Sequence, residues 1–126
     1  MKLNQITVGT TDYAASVAFY TRLGLVQIVA SPPRYARFET PGGETFSIEQ
    51  VEAVNSTTIV YFEVEDVDAF VAATGLPLTA QPADKPWLWR EARLTDPCGN
   101  AICIYHAGGN RRFPPWRLDQ SSGGAS

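Results

Sequence analysis

The segment LTDPCGNAICIYHAG, residues 94–108, decides the fold of this chain. It joins a tight turn, DPCGN, to a strand in which two kinds of side chain alternate. Because successive strand residues face opposite sides of a sheet, Ile102 and Ile104 share one face, and Cys103 and Tyr105 share the other. The aliphatic face predicts burial in a core. A thiol and a phenol on the opposite face indicate a second environment that a plain core strand does not need.

The same order of elements occurs twice in the chain. Hydrophobic alternation and glycine or proline turns give each half a strand, a helix and three further strands. Asp12 and Asp66 open the two predicted helices, which end at Gly24 and Gly75. The predicted elements are LNQITVG, TTDYAASVAFYTRLG, LVQIVA, RYARFET and TFSIEQ, then TTIVYFEVE, DVDAFVAATG, LPLTA, WLWREARL and NAICIY, with QPADKP as a loop. The sequence predicts an α+β fold of two βαβββ modules, which form an open, barrel-like mixed sheet with helices outside and a central cavity.

Helical spacing also predicts which side of the first helix is buried. Ala15, Ala18, Phe19 and Leu23 fall on one face, and the apolar stem of Arg22 lies along its edge. We expect this face to pack against the sheet.

Domain boundaries follow from the modules. We expect one domain over residues 1–108, with a first module over about residues 1–52 and a second over about residues 56–108. Residues 109–126 then form a C-terminal arm and a Gly/Ser-rich tail of disordered composition. The arm contains RRFPPWR, which suits a docking arm or a solvated segment.

Composition limits the function classes. The net charge of −3 and the pI near 5.0 argue against nucleic acid, whose binding needs a basic face. No apolar run approaches the roughly 20 residues that a membrane span needs. The opening MKLNQITVGTTD is broken by polar residues and does not resemble a signal peptide. We therefore expect a cytoplasmic protein without membrane contact, in which Cys98 and Cys103 are reduced thiols.

The second face of the strands mixes amides, carboxylates, hydroxyls, rings and a thiol, and the strands that carry it lack lysine. Such a face suits either an ordinary amphipathic sheet or a concave, partly dry pocket, and we expect the pocket. Tyr35 and Phe38 lie on opposite faces of the third strand, so at most one faces a ligand, and we assign Phe38. The predicted ligand-binding residues are Gln5, Phe38, Ser47, Glu49, Tyr61, Trp89, Cys103 and Tyr105.

The strand WLWREARL adds aromatic and charged groups to this face. It places Trp87, Trp89, Glu91 and Arg93 on one side. Two tryptophans there can stack on a planar ligand, or they can cover a sheet edge or a dimer contact. We assign Trp89 to the pocket and leave Trp87 open.

Two motifs, DYAASVAFYTRLGL and DPCGNAICIY, together with the βαβββ–βαβββ order, resemble the vicinal oxygen chelate superfamily. That group includes glyoxalase I, bleomycin resistance proteins and extradiol dioxygenases. SVAFYTRLGL is similar to its Ser-x-x-Phe-Tyr-x-x-x-Leu-Gly signature, with one residue fewer before Leu23, and DPCGN is similar to its Asp-Pro-x-Gly-Asn turn. The resemblance spans about residues 2–106. It implies the fold, whereas one fold hosts many activities.

The resemblance also implies where a metal would lie. In metal-dependent members, four side chains on the inner face hold a divalent ion, and here they correspond to Gln5, Glu49 (or Ser47 after a two-residue slip), Ile59 and Cys103. Isoleucine has no donor atom, and a thiolate suits softer metals than oxygen ligands do. An extradiol dioxygenase would need two histidines, and the chain has one. We therefore expect no metal and no other cofactor.

Three function classes stay open. The first is a metal-free protein that sequesters an aromatic or cationic small molecule, as bleomycin resistance proteins do. The second is a lyase or isomerase, with or without a divalent metal, in which Glu49 is the general base and Gln5 or Tyr61 polarises the substrate. The third is an interaction module with a vestigial pocket. Cys103 suits a ligand contact or a small buried filler.

The resemblance also favours an assembly. Pockets in this superfamily often lie beside a two-fold interface, and the edges of an open sheet need covering. We expect a homodimer, with the arm segment RFPPWRL packing across it.

Overall fold

The computed structural model describes residues 1–55 and 57–118 of the chain. Within these residues the chain forms eight strands, two α-helices and one 3₁₀ turn at Gly108–Asn110. The elements are β1 (Gln5–Thr10), α1 (Tyr13–Leu23), β2 (Val26–Ser31), β3 (Tyr35–Glu39), β4 (Thr45–Gln50), β5 (Ile59–Glu63), α2 (Val67–Thr74), β6 (Ala80–Asp84), β7 (Arg90–Thr95) and β8 (Ala101–His106). The tail at residues 119–126, whose composition predicts disorder, lies outside the described residues.

The strands form two mixed sheets of four, one from each module. Their orders are β1–β4–β3–β2 and β5–β8–β7–β6. In each sheet the first strand pairs in parallel with the last strand of its module, and the other pairs are antiparallel. The predicted α+β fold of two βαβββ modules is confirmed. The two sheets do not close into one barrel.

Both helices begin and end where the sequence predicts. The side chains of Asp12 and Asp66 each accept a hydrogen bond from a backbone N–H three residues later. Gly24 and Gly75 follow the last turns in the left-handed conformation, which glycine adopts without a Cβ penalty. In the described part of the chain, neither helix has the length and apolar character that a bilayer crossing requires.

The aliphatic register of the strands lies in the core, as the alternation predicts. Its buried members come from both sheets and join α1 and α2 in one apolar cluster. Burying such side chains supplies roughly 25 cal/mol per Å² of apolar surface, the main favourable contribution to folding. The buried strand residues of this register are Val8, Phe46, Ile48, Val60, Leu94, Ile102 and Ile104.

The buried face of α1 differs from the prediction. Phe19 and Leu23 are buried as expected, but Ala18 and Arg22 are exposed, and Tyr20 is fully buried. The Tyr20 hydroxyl donates a 2.6 Å hydrogen bond to Asp96 in the turn between β7 and β8. The helix therefore buries the side that carries Tyr20, where it makes this polar contact with the second module.

The predicted loop QPADKP is in fact largely strand. Ala80–Asp84 pairs with β7 as an edge strand, with a register shift between Ala80 and Ala83. An edge strand tolerates Pro82, which cannot donate to a sheet. The true turn comes later, where the Leu88 N–H donates to the Lys85 carbonyl, so Trp87 lies in the hairpin turn and not on the strand.

Candidate functional site

Three aromatic side chains meet on the mixed face of the second sheet. Trp89 stacks on Tyr105 with ring centroids 4.5 Å apart. Tyr61 meets both rings edge-on, at 6.0 Å from Trp89 and 5.7 Å from Tyr105. Edge-to-face and stacked pairs of this kind each contribute about 0.5–1.5 kcal/mol beyond burial. The structure thus brings together three of the residues that the alternation placed on one face.

A buried carboxylate lies beside these rings. Glu91 is only 3% exposed, and its Oε2 accepts a 2.8 Å hydrogen bond from Arg93 Nε. The other carboxylate oxygen, Oε1, is buried and has no hydrogen-bond partner among the described residues. Leaving a buried acceptor unsatisfied costs about 1–3 kcal/mol, and more for a charged group. A hydrogen-bond donor beside Glu91 Oε1 would therefore stabilise the site, and the described residues do not supply one.

Cys103 lies between Tyr61 and Arg93 in the strand register and is fully buried. Burial, the charge of the neighbouring Glu91 carboxylate and a hydrogen bond of the thiol to that carboxylate raise the pKa of Cys103 to about 11. The side chain is therefore a neutral thiol near pH 7. A thiol is a weak hydrogen-bond donor, so it does not replace a proper partner for the Glu91 carboxylate.

A cavity of about 320 Å³ opens above this group, and we call it the aromatic cavity. The sheet supplies one part of its lining and the C-terminal arm supplies the other. Its lining residues are Tyr61, Trp87, Trp89, Glu91, Arg93, Asn110, Arg111, Pro114 and Trp116.

Glu63 fixes the start of the arm against the sheet. Its Oε2 accepts backbone hydrogen bonds from Ala107 at 2.8 Å and from Gly108 at 2.9 Å. Its Oε1 lies 3.9 Å from Arg111 Nε. The arm therefore folds back over the sheet of its own chain, and its contact across a dimer stays a prediction.

The first sheet carries a separate polar network. Gln5 Nε2 donates to Ser47 Oγ at 3.0 Å and its Oε1 accepts from Thr45. Tyr35 donates to the same Ser47 Oγ at 2.9 Å and accepts from Arg37 Nε at 2.8 Å. Desolvation opposes ionisation of the Tyr35 phenol, but its hydrogen bonds to Ser47 and Arg37 outweigh it and lower the pKa.

The assignment of Phe38 to the pocket is wrong. Phe38 is fully buried in the core, with its ring centroid 6.0 Å from that of Tyr20 and 6.4 Å from that of Phe46. Tyr35 takes the mixed face instead. Ala36, two residues before Phe38 on β3, is also fully buried, so this side of β3 faces the core.

The remaining predicted residues fall into two groups on two sheets. Gln5 and Ser47 share the first network, and Glu49 is exposed beyond it at the end of β4. Tyr61, Trp89, Cys103 and Tyr105 lie on the second sheet. Tyr61 and Trp89 both line the aromatic cavity, and Gln5 and Tyr61, one from each group, border a cleft of about 680 Å³ between the modules.

This inter-module cleft is larger than the aromatic cavity, and the Glu44 and Glu63 carboxylates in its lining already accept hydrogen bonds within the chain. Much of its wall consists of core side chains such as Phe46, Phe62 and Phe70. The Gln5 amide at its edge already has hydrogen-bond partners on β4. We therefore place the candidate site in the aromatic cavity, where a buried polar atom still lacks a partner.

Four positions of this chain correspond to the metal ligands of the superfamily that the sequence resembles. The residues at these positions do not fit a divalent ion. Ile59 has no donor atom, the Gln5 oxygen accepts from Thr45, Glu49 is exposed at the end of β4, and the Cys103 thiol suits softer metals than the oxygen ligands do. The residues that the structure describes contain no cluster of three histidine, cysteine, aspartate or glutamate side chains that could hold a metal.

Several residues of the aromatic cavity were not selected from the sequence. Glu91 and Arg93 were placed on the correct face, and their alternation with Trp89 in WLWREARL was the available signal. Arg111 and Trp116 carry no such signal, because their place depends on how the arm folds back.

Comparisons with known proteins agree with this architecture. The sequence model of the Glyoxalase/Bleomycin resistance protein/Dioxygenase superfamily matches residues 2–104. A glyoxalase/bleomycin resistance protein/dioxygenase from Nocardioides superposes with a TM-score of 0.73 at 24% identity, covering 94% of this chain and 90% of that chain. A family enzyme from Burkholderia phytofirmans PsJN gives 0.71 at 23% identity, over 85% of this chain and 99% of that chain.

A third solved structure is a bleomycin-binding protein in complex with bleomycin. It superposes with a TM-score of 0.68 at 17% identity, covering 84% of this chain and 98% of that chain. A search of the curated proteins finds no match. At these identities, the structural likenesses establish the fold.

Proposed function

Because the chain belongs to the Glyoxalase/Bleomycin resistance protein/Dioxygenase superfamily, we propose that it binds an aromatic or cationic small molecule in the aromatic cavity and sequesters it without a metal. One observation carries the proposal: the Trp89 and Tyr61 rings line the same cavity as the buried Glu91, whose Oε1 lacks a donor among the described residues. Rings and one unsatisfied polar group are what a small-molecule site presents to its ligand.

The size of the cavity supports this proposal. Its volume of about 320 Å³ lies at the lower end of the roughly 300–1,000 Å³ that ligand pockets span. A ligand that gives Glu91 its missing hydrogen bond would recover about 1–3 kcal/mol, and ring contacts would add to that.

The metal-free part of the proposal rests on the donor set. Three good ligands cannot be assembled from Gln5, Ile59, Glu49 and Cys103 for the reasons given above. Protein purified without chelators is expected to hold far less than one equivalent of any transition metal by elemental analysis. One equivalent of bound metal, lost in Glu49→Gln, would contradict this part.

A second function is favoured by one feature of the first sheet. Exposed Glu49 lies opposite Tyr35 in the β3–β4 pairing, and the Tyr35 phenol is held by Arg37. This arrangement supports the alternative of a lyase or isomerase with Glu49 as general base. A bound ligand that is recovered chemically unchanged favours sequestration, whereas conversion that disappears in Glu49→Gln favours the enzyme.

We also propose a homodimer, because the chain leaves sheet edges and apolar side chains uncovered. The edge strand β2 exposes Val26 and Ile28 at 58% and 45%. Unpaired edges invite pairing with another chain, and native proteins cover them.

A thermal-shift screen of antibiotics and metabolites, followed by calorimetry, tests the binding function. Ligands of the aromatic cavity should bind Trp89→Leu about tenfold more weakly, because the variant loses a stacking surface. The matched control is Tyr35→Leu, which removes a ring from the first sheet and should bind normally. Equal losses in the two variants, or no ligand in a broad screen, would refute the proposed site.

A further inference from the structure

The charges around the aromatic cavity indicate a ligand class narrower than the proposed function, on which this inference rests. The cavity is lined by one carboxylate, Glu91, and two guanidinium groups, Arg93 and Arg111. Glu91 is already paired with Arg93 at 2.8 Å, and Arg111 lies 3.9 Å from Glu63. The one carboxylate that lines the cavity thus already has a positively charged neighbour, so the cavity offers a cation no unpaired carboxylate.

Glu91 lines the cavity, and the unpaired oxygen of its side chain needs a hydrogen-bond donor rather than a positive charge. The Glu91 side chain is only 3% exposed, and its Oε1 has no hydrogen-bond partner among the described residues. A neutral N–H group satisfies that oxygen without adding a third positive charge beside Arg93 and Arg111. A buried acceptor of this kind discriminates strongly against analogues that lack the donor.

Flat aromatic surfaces face the same space from two elements of the chain. Trp89 lines it from the sheet, where its ring is backed by Tyr105. Trp116 lines it from the arm and is 57% exposed. An exposed indole gains most when a planar molecule covers it, because the ring then leaves water and stacks.

The arm that carries Trp116 lies beyond residues 2–104, the part of the chain that matches the superfamily. The arm is nevertheless fixed against the sheet that carries the aromatic cavity. Glu63 holds its first residues by two backbone hydrogen bonds, and Phe113 N donates to the Gly109 carbonyl at 2.8 Å. The arm thus supplies part of the lining of the aromatic cavity.

We infer that the ligand is a neutral, planar heteroaromatic molecule with an N–H donor, enclosed between the second sheet and the C-terminal arm. Its N–H donates to Glu91 Oε1, which is buried in the structure and becomes accessible when the neighbouring side chains move apart. Its ring lies against Trp89, and Trp116 covers it.

Isothermal titration with matched xanthines tests the donor and the charge. Theophylline carries a ring N–H, caffeine replaces that hydrogen with a methyl group, and tetramethylxanthinium adds a positive charge to caffeine. We expect theophylline to bind at least about fivefold more tightly than caffeine, because caffeine leaves the buried acceptor unpaired. The cation should bind more weakly than caffeine at low salt.

Variants of the arm test the enclosure. Trp116→Ala should weaken theophylline binding severalfold. Phe113→Ala is the matched control, because Phe113 is an equally exposed arm residue, at 59%, outside the lining of the cavity. Both variants change exposed side chains, so circular dichroism and melting temperature should match the unmodified protein.

The outcomes separate this inference from the proposed function. Tighter binding of tetramethylxanthinium than of theophylline, or equal binding of theophylline and caffeine, overturns the neutral-donor ligand and leaves small-molecule binding intact. Equal effects of Trp116→Ala and Phe113→Ala overturn the enclosing role of the arm. If none of the three xanthines binds while other compounds from the screen do, the inferred ligand class is wrong. If no compound of either set binds, the proposed function fails as well.

Discussion

At the scale of single residues, the second sheet combines a buried carboxylate, a buried thiol and a stacked pair of rings, and of these the carboxylate is the costly group to bury. Glu91 is held by Arg93, and the Cys103 thiol stays protonated beside them. Such an arrangement is tolerable when a ligand supplies what the protein omits, because one hydrogen bond to Glu91 removes an unpaired acceptor.

The two cysteines should differ sharply in reactivity. Cys103 is fully buried, and burial raises its pKa to about 11, so we expect it to react slowly in the native protein. Cys98 is partly exposed, and although desolvation opposes its ionisation, hydrogen bonds from Thr10 and Thr11 lower its pKa. With a thiol reagent near pH 8, we expect one fast-reacting cysteine in the native protein. Cys98→Ser should abolish the fast phase and Cys103→Ser should retain it; the reverse pattern would contradict the burial of Cys103.

The sequence predicts the mixed face well but not its chemistry. Period-two alternation places Tyr61, Trp89 and Tyr105 on one side because strand geometry alone fixes that. It cannot show that Glu91 Oε1 lacks a partner, because hydrogen-bond satisfaction depends on neighbouring strands. Phe38 was misplaced because both faces of β3 carry an aromatic residue, and only the packing of the core selects between them.

At the scale of elements, α1 provides one link between the modules. The Tyr20 hydroxyl donates to Asp96, which also accepts hydrogen bonds from the Cys98 and Asn100 backbone N–H groups. One residue of the first helix thus completes the turn that precedes β8, and that turn sets the start of the strand carrying Cys103.

Removing this contact should destabilise the fold. Tyr20→Phe leaves the buried Asp96 with one donor fewer, and we expect a loss of about 1–3 kcal/mol in the free energy of unfolding. Tyr13→Phe is the control, because Tyr13 OH accepts only a long 3.5 Å hydrogen bond from Gln27. Urea unfolding measures both. A loss no greater in Tyr20→Phe than in Tyr13→Phe would show that the Asp96 contact contributes little.

Helix ends were predictable because their signals are local, as the caps at Asp12 and Asp66 show. Strand β6 was missed because Pro82 argues against a strand, and only the sheet topology reveals that this strand lies at an edge. The buried face of α1 was predicted incorrectly for a similar reason. Tyr20 is buried against Asp96, which is distant in sequence, so no local pattern reveals the contact.

At the scale of the whole molecule, the order of elements predicted the duplicated modules, but not how their mixed faces are arranged. The candidate residues divide between a network around Ser47 on one sheet and the aromatic cavity on the other. The mutual orientation of the modules follows from contacts such as that of Tyr20 with Asp96, which no local pattern encodes.

The assembly prediction belongs at this scale. We expect the full chain to elute as a dimer in size-exclusion chromatography with light scattering, because the β2 edge and its apolar side chains need cover. A chain ending at Gly109 tests the arm. An unchanged dimer would show that the arm does not hold the copies together, and a monomer in the full chain would refute the assembly itself.

The central claim is that the aromatic cavity on the second sheet is the ligand site. A nuclear magnetic resonance titration with a compound that raises the melting temperature tests it most directly. The account predicts that the side-chain indole N–H signals of Trp89 and Trp116 and the backbone amides of β7 shift together as the compound is added, while those of Gln5 and Ser47 stay in place. Shifts concentrated on β1 and β4, with the two indoles unmoved, would contradict it.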